Sequence, residues 1–160
     1  GGALNPTTRF TGGTQADGTT ACPSGQEVRN DNLTGLMWVQ SPTSNTYKWQ
    51  DTSVTPNTYP AQAAIDSMNN SDGYCGYKDW RLPNVNELAS LVNQGSVDSS
   101  EWLTNNTQGF SNVRAGDYWS STTYANGTNY AWSVNMNAGL VNFGDKANDG
   151  FYVLPVRGGQ

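Results

Sequence analysis

Histidine is absent from the 160-residue sequence, and cysteine occurs only twice. The absence of histidine removes the usual general base, the commonest metal ligand and every Ser–His or Cys–His pair that could activate a nucleophile. The sequence also lacks any run of about 18 apolar residues, the length that a membrane-spanning helix requires. No signal peptide is recognisable at its start, which favours a mature fragment or an excised domain. These absences argue against the common catalytic sites and against a membrane span.

Charged residues are scarce, at 13% of the chain, and they give a formal net charge of −5. The 8 lysines and arginines stand singly along the sequence rather than in a stripe. Binding to nucleic acid is therefore not expected, because it depends on clustered positive charge. Asparagine, threonine, serine and glycine occur in short clusters, which is typical of turns and loops with a neutral polar surface. Such a surface favours an extracellular protein, secreted or exposed on a cell.

Hydrophobic residues make up only 35% of the sequence, but they include 6 Trp, 8 Tyr and 4 Phe. Because each aromatic side chain buries a large area, the predicted core depends on aromatic residues rather than on Leu and Ile. No internal repeat occurs, and turn-rich segments are spread evenly along the chain. We therefore predict a single domain over 1–160, in which 1–26 is an N-terminal extension or the first strands.

The two cysteines, Cys22 and Cys75, are an even pair in a chain of extracellular character. This favours one disulfide that closes a long loop and stabilises the fold by about 4 kcal/mol on the chain-entropy model. The alternative is two buried free thiols.

Two helices are predicted from apolar spacing and end signals. The first begins at Pro60 and ends by the polar cluster 69–73, with an apolar stripe of Ala61, Ala64, Ile65 and Met68. In the second, Asn84 and Glu87 form a capping box and Gly95 ends the helix, with a buried face of Val85, Leu88, Leu91 and Val92.

Strands are predicted near the start and in the last third of the chain. A turn at 31–35 leads into a buried apolar strand at 36–40. The later strands form two hairpins and a terminal strand, at 117–121 with 129–136 across Asn126-Gly127, at 140–143 after a turn at 137–139, and at 151–157. Pro155 should lie at an edge or a bulge, because proline cannot donate to the ladder. The predicted fold class is α+β, with two helices packed beside antiparallel sheet and hairpins.

The stretch 75–88, CGYKDWRLPNVNEL, combines charged residues with a tryptophan and a cysteine. Asp79, Arg81 and Glu87 could serve catalysis, but Glu87 already has a local role in the capping box. Asp79 and Arg81 could pair with each other or satisfy nearby backbone groups. We therefore interpret the stretch as structural bracing, and we assign structural roles to Arg81, Glu87, Trp38, Trp80, Trp119 and Trp132.

Two other uses of acidic side chains stay open. A two-carboxylate glycosidase could draw on Glu87, Asp98 or Glu101, although nothing in the sequence selects a pair. No cofactor is expected. Calcium could bind oxygen ligands of Asp145, Asn148 and Asp149, but their spacing matches no EF-hand, and turn formation explains the same residues.

Several segments, taken in order, resemble one known family. They are Asp31-Asn32-Leu33-Thr34-Gly35-Leu36-Met37-Trp38, Asp79-Trp80-Arg81-Leu82-Pro83-Asn84 with Glu87-Leu88, Tyr118-Trp119-Ser120-Ser121-Thr122, Ala131-Trp132 and Val156-Arg157-Gly158-Gly159. From about residue 27 to the end, they resemble the family typified by the C-terminal domain of the Legionella collagen-like adhesin. Many members carry a cysteine where this chain has Leu154-Pro155, so their disulfide pattern is not transferred.

The resemblance implies a C-type-lectin-like fold, a secreted or bacterial surface location and no enzymatic activity. In the adhesin, such a domain follows a collagen-like stalk, forms trimers and binds sulfated glycosaminoglycans. The expected function is therefore an adhesin domain that binds an anionic polysaccharide as a homotrimer. A protein-binding display module, using the aromatic hairpins between Tyr118 and Tyr152, is the alternative.

The acidic net charge opposes a sulfated partner, so binding would need basic side chains focused in one place, for example around a symmetry axis. The predicted ligand-binding residues are Lys48, Trp49, Arg114 and Lys146. The three basic residues stand among turn-forming residues, where a long side chain can reach solvent.

Overall fold

The computed structural model describes residues 9–159, which form two antiparallel β-sheets and three short α-helices. The strands are β1 (Phe10–Gly12), β2 (Val28–Asp31), β3 (Met37–Val39), β4 (Asp117–Thr123), β5 (Tyr130–Asn135), β6 (Leu140–Asp145) and β7 (Val156–Arg157). The helices are α1 (Pro60–Asp66), α2 (Val85–Ala89) and α3 (Ser99–Thr104), and a 3₁₀ turn at Ser67–Asn69 extends α1. The α+β class is therefore confirmed. Within residues 9–159, no helix is long and apolar enough to cross a membrane.

The first sheet has the strand order β1-β2-β3-β7 and depends on the turn at Asp31. Asp31 is 1% exposed, and its carboxylate accepts hydrogen bonds from the Leu33 amide, the Thr34 hydroxyl and the Arg9 guanidinium. The amide of Gly35, whose φ is +76°, donates to the Asp31 carbonyl and closes the turn. The buried Asp31 carboxylate is therefore fully paired, and it fixes the turn through its contacts to Leu33 and Thr34.

The second sheet has the order β4-β5-β6 and is built from the two predicted hairpins. The Gly127 amide donates to the Tyr124 carbonyl, and the Tyr130 amide donates to the Gly127 carbonyl. The β4–β5 register shifts between Trp119 and Thr123, where the strand bulges. β6 pairs only with β5 in this sheet, so it forms an edge of the sheet.

The core consists of two buried clusters. Trp38 and Tyr118 are at the centre of one, and Trp80 and Trp119 belong to the other. Leucines contribute as many buried side chains as the aromatics, including Leu88, which is fully buried. The expectation of a core built mainly from aromatics is therefore wrong, because the short helices also bury aliphatic side chains.

Cys22 and Cys75 form the expected disulfide, which joins residues 53 positions apart. Cys75 is fully buried in the cluster of Trp80, and its backbone amide donates to the Gln26 side chain. The bridge thus ties the segment before β2 to the stretch that leads to α2.

Two predicted element ends are wrong. The second helix ends at Ala89 rather than Gly95, because the chain then tightens into i→i+3 turns and the Ser90 hydroxyl bonds back to the Glu87 carbonyl. Of the predicted terminal strand, only Val156–Arg157 pairs as a strand, and Pro155 lies just before it. Helix α3 was not predicted, because its apolar residues are too few to show a helical period.

Candidate functional site

The charged stretch at 75–88 ties α2 to the end of the chain. Arg81 donates to both carboxylate oxygens of Glu87, at 2.7 and 2.8 Å, and to the Gly158 carbonyl at 2.7 Å. Glu87 also completes the capping box with Asn84 at the start of α2. A bidentate pair of this kind holds both side chains in one geometry, so it braces the fold.

Asp79 pairs with Arg157 instead of Arg81, with N–O distances of 2.7 and 3.1 Å. The Arg157 guanidinium also lies 3.9 Å from the centre of the Tyr77 ring. The suggested Asp79–Arg81 pair is therefore replaced by two separate pairs. The hydrogen bond from Arg157 lowers the pKa of Asp79, which keeps this carboxylate charged and engaged.

Replacing Glu87 with glutamine tests the brace through pH. Hydrogen bonds from Arg81 lower the pKa of Glu87 below its ordinary 4.5, so the folded state holds the proton less tightly than the unfolded state. Its stabilisation is present above pH 4.5 and is lost as pH falls through the lowered pKa. We expect Glu87→Gln to lower the free energy of unfolding by about 1.5 kcal/mol at neutral pH, and the difference from the parent protein to shrink in acid.

Urea unfolding of both proteins between neutral and acidic pH measures this difference. Glu101→Gln is the matched control, because Glu101 is an exposed residue in the first turn of α3 and should cost little at any pH. A loss in Glu87→Gln that is the same at every pH would show that the charge of Glu87 does not stabilise the fold.

The other acidic candidates serve local structure. The Asp98 carboxylate caps α3 by accepting hydrogen bonds from the amides of Ser100 and Glu101. In the loop after β6, the Asp145 side chain accepts from the amides of Ala147 and Asn148, and Asp149 accepts from the Asp145 amide. Within residues 9–159, no three Cys, Asp or Glu side chains group closely enough to hold a metal ion.

Most of the basic side chains are engaged in structural contacts. Arg9, Arg81 and Arg157 form ion pairs. Arg29 donates to the Gln108 and Phe10 carbonyls. Lys146 is buried. Lys48, Lys78 and Arg114 are exposed, and no ion pair involves them within the described part of the chain.

Lys146 packs against Trp49 instead of reaching solvent. Its Nζ lies 4.1 Å from the centre of the Trp49 ring and donates to the Thr123 hydroxyl at 2.9 Å, and the residue is only 7% exposed. Burial lowers the pKa of Lys146. The expectation that this side chain extends into solvent is wrong, because the loop after β6 folds back onto the Trp49 segment through the Gln50–Lys146 backbone hydrogen bond.

A cleft of about 510 Å³ lies between α1 and the Trp49 segment. Trp49, Tyr59 and Leu82 line it with apolar surface, and Gln62, Asp66 and Ser121 contribute polar groups. The Trp49 indole nitrogen donates to the Ser120 carbonyl at 3.0 Å, which fixes the ring beside β4. A concave site with aromatic surface and a few polar groups is the usual form of a small-ligand pocket.

Aromatic side chains also cluster on the outer face of the second sheet. Tyr124 stacks on Phe143 with ring centres 4.7 Å apart, and Tyr130 and Trp132 meet Phe143 edge to face. Phe143 is 50% exposed and Trp132 is half-buried. Trp132 therefore belongs to a surface cluster, whereas Trp38, Trp80 and Trp119 are buried in the core.

The structure brings Lys146 into contact with Trp49, and Lys48 precedes Trp49 in the chain. Within residues 9–159, no hydrogen bond, ion pair or ring contact joins Arg114 to these three residues. The α1 residues that line the cleft were not predicted from the sequence. The sequence feature that could have identified them is the four-residue spacing of Gln62 and Asp66, which puts both on the polar side of the predicted helix.

Comparison with known proteins identifies the family. No curated protein matches this chain. The sequence model of the Lcl C-terminal domain family matches residues 27–157. This range runs from just before β2 to the end of β7 and includes the cleft and the exposed cations. The match confirms the family resemblance found in the sequence and is consistent with an adhesin-type domain outside the cell. The chain therefore belongs to the Lcl C-terminal domain family.

Proposed function

We propose that the chain is a non-enzymatic adhesin domain of C-type-lectin-like fold on the bacterial surface or in secreted form. It binds an anionic polysaccharide, such as a sulfated glycosaminoglycan, as a homotrimer. The observation that carries this function is that Lys48 and Arg114 are exposed in loops and form no ion pair within residues 9–159. Trp49 contributes contact area beside Lys48, and Lys146 supports Trp49 from behind without touching the polysaccharide.

Trimer formation would overcome the repulsion between this acidic domain and an anionic polysaccharide. A single domain with a formal charge of −5 repels a sulfated chain at long range, and few of its basic side chains are free. Threefold symmetry would place three copies of each exposed cation around one axis, which concentrates positive charge locally. The trimer therefore forms the binding surface that one copy lacks, and light scattering of the purified domain tests its mass against the 17.2 kDa chain.

Heparin binding across a salt series tests the anionic-ligand assignment. We expect affinity to fall steeply with added salt, because the contacts depend on screened charge and counterion release. The double variant Lys48→Ala and Arg114→Ala should weaken binding and reduce the slope of log affinity against log salt by about 2 for each protomer that contacts the polysaccharide. Lys78→Ala is the matched control, since Lys78 is equally exposed but lies in the loop near the disulfide.

Two outcomes would contradict this function, each in a different part. If the parent domain did not bind heparin at low salt, the proposal of an anionic ligand would be wrong. If the double variant were folded and kept the affinity and salt slope of the parent, Lys48 and Arg114 would not belong to the site.

A second candidate is a protein-binding display module. It is favoured by the exposed aromatic cluster on the sheet, where Phe143 is next to Val141, which is 48% exposed. Aromatic and asparagine side chains provide rigid contact area and adaptable hydrogen bonds in protein-binding surfaces. A purified protein ligand whose binding is lost in Phe143→Ala and kept in Lys48→Ala would favour this function.

A further inference from the structure

We propose that the cleft between α1 and Trp49 binds an uncharged sugar ring, a hexopyranose unit of a glycan. The cleft measures about 510 Å³, which leaves room for one sugar unit together with part of its neighbour. This site uses none of the exposed cations. The two sites share Trp49, but because the cleft needs neither Lys48 nor Arg114, a sugar can bind in it without an anionic chain.

The aromatic side of the cleft is held rigidly. Trp49 is anchored through its indole nitrogen to the Ser120 carbonyl, and the Lys146 ammonium lies against its ring. Tyr59 meets Trp49 edge to face at 5.9 Å and is 46% exposed. Rigid aromatic side chains offer large apolar surface at low entropic cost, and the C–H face of a pyranose ring is a matching surface.

Polar groups that line the same cleft match sugar hydroxyls. Gln62 and Asp66 lie one turn apart on α1, and the Gln62 amide donates to one Asp66 oxygen at 2.8 Å. The second Asp66 oxygen accepts no hydrogen bond from residues 9–159, and Gln62 keeps its carbonyl oxygen and a second N–H. The hydroxyls of Thr58 and Ser121 also line the cleft. A ligand with several adjacent hydroxyls can pair with all of these groups.

The charge of the cleft selects an uncharged ligand. Asp66 is the charged side chain among the residues that line it, so sulfate and carboxylate groups are repelled. An organic cation is also disfavoured, because the Lys146 ammonium, 4.1 Å from the centre of the Trp49 ring, repels a second positive charge. A neutral sugar avoids both penalties and still donates hydroxyl hydrogens to Asp66.

NMR titration of the ¹⁵N-labelled domain with a panel of uncharged methyl hexopyranosides tests the site. We expect at least one sugar to shift the Trp49 indole signal and the α1 amides, with the same affinity in about 0.5 M NaCl, where charge contacts are screened. Asp66→Asn should weaken binding about tenfold, the equivalent of one hydrogen bond to a charged group, and Tyr59→Ala should weaken it by a similar factor through the loss of apolar contact area. Asp72→Asn is the control, because it removes the same charge from an exposed position outside the cleft.

Three results would overturn this assignment. They are the absence of shifts with every uncharged sugar, equal affinity in Tyr59→Ala and the parent, and tighter binding of tetramethylammonium or a sulfated disaccharide to the same cleft residues. If the domain bound heparin but no uncharged sugar, only the proposed sugar site in the cleft would be contradicted. If it bound a sugar but not heparin, only the proposed anionic ligand would be contradicted.

Discussion

Replacing Trp80 with alanine should lower the free energy of unfolding by about 3–5 kcal/mol, the usual cost of removing a large aromatic side chain from a core. Trp80 is 2% exposed and packs edge to face with Tyr74 at 5.6 Å. Its indole nitrogen donates to the Tyr74 carbonyl, and its backbone is held on both sides by the Asn69 side chain. The substitution therefore leaves a cavity and an unpaired carbonyl together. Such a loss is a large part of the 5–15 kcal/mol typical of a whole domain.

Urea unfolding followed by far-ultraviolet circular dichroism measures this loss. Trp132→Ala is the matched control, because it removes the same side chain from the half-buried outer face of the sheet. We expect it to cost only about 1–2 kcal/mol. An unchanged midpoint in Trp80→Ala, or an equal loss in the two variants, would contradict the role of Trp80 as a core residue.

Removal of the disulfide should cost a similar amount for a different reason. The bridge joins residues 53 positions apart, and closing such a loop in the unfolded chain corresponds to about 4 kcal/mol on the chain-entropy model. We expect the double variant Cys22→Ala and Cys75→Ala to unfold at a clearly lower urea concentration than the oxidised parent. The parent treated with a reductant should unfold near the midpoint of the variant.

The two stability tests are independent. If the oxidised and reduced parent proteins unfolded at the same urea concentration, the bridge would contribute no stability, whatever the result for Trp80. Because the loss arises in the unfolded state, the native spectra of the variant and the parent should coincide.

Local hydrogen bonding made the start of α2 predictable from sequence. Asn84 and Glu87 satisfy each other's backbone donors within four residues, so no distant contact was needed to recognise the cap. The end of the same helix was not predictable in this way. Its termination depends on the packing of Leu88 and Leu91 into the core and on the turns that follow, which are tertiary features.

The candidate sites were harder to predict for the same physical reason. Lys146 stands in a turn-rich segment that suggests exposure, yet it is buried because the chain returns to Trp49 from nearly a hundred residues away. The Gln62–Asp66 pair is visible as a helical spacing, but its place in one cleft with Trp49 and Ser121 follows only from the fold. Of the contacts between distant segments, the disulfide was predicted, because the chain has only two cysteines, whereas the cleft was not.

The disulfide also determines how the domain responds to mechanical tension. When the chain is pulled from its ends, tension along the covalent chain passes directly between Cys22 and Cys75, so the backbone of the enclosed segment cannot be drawn out. That segment contains Lys48, Trp49 and the whole of α1. In extended form it would add roughly 180 Å of contour length, which the oxidised protein cannot release. A stretched domain would thus keep these contact residues within one covalent ring while the strands outside it peel away.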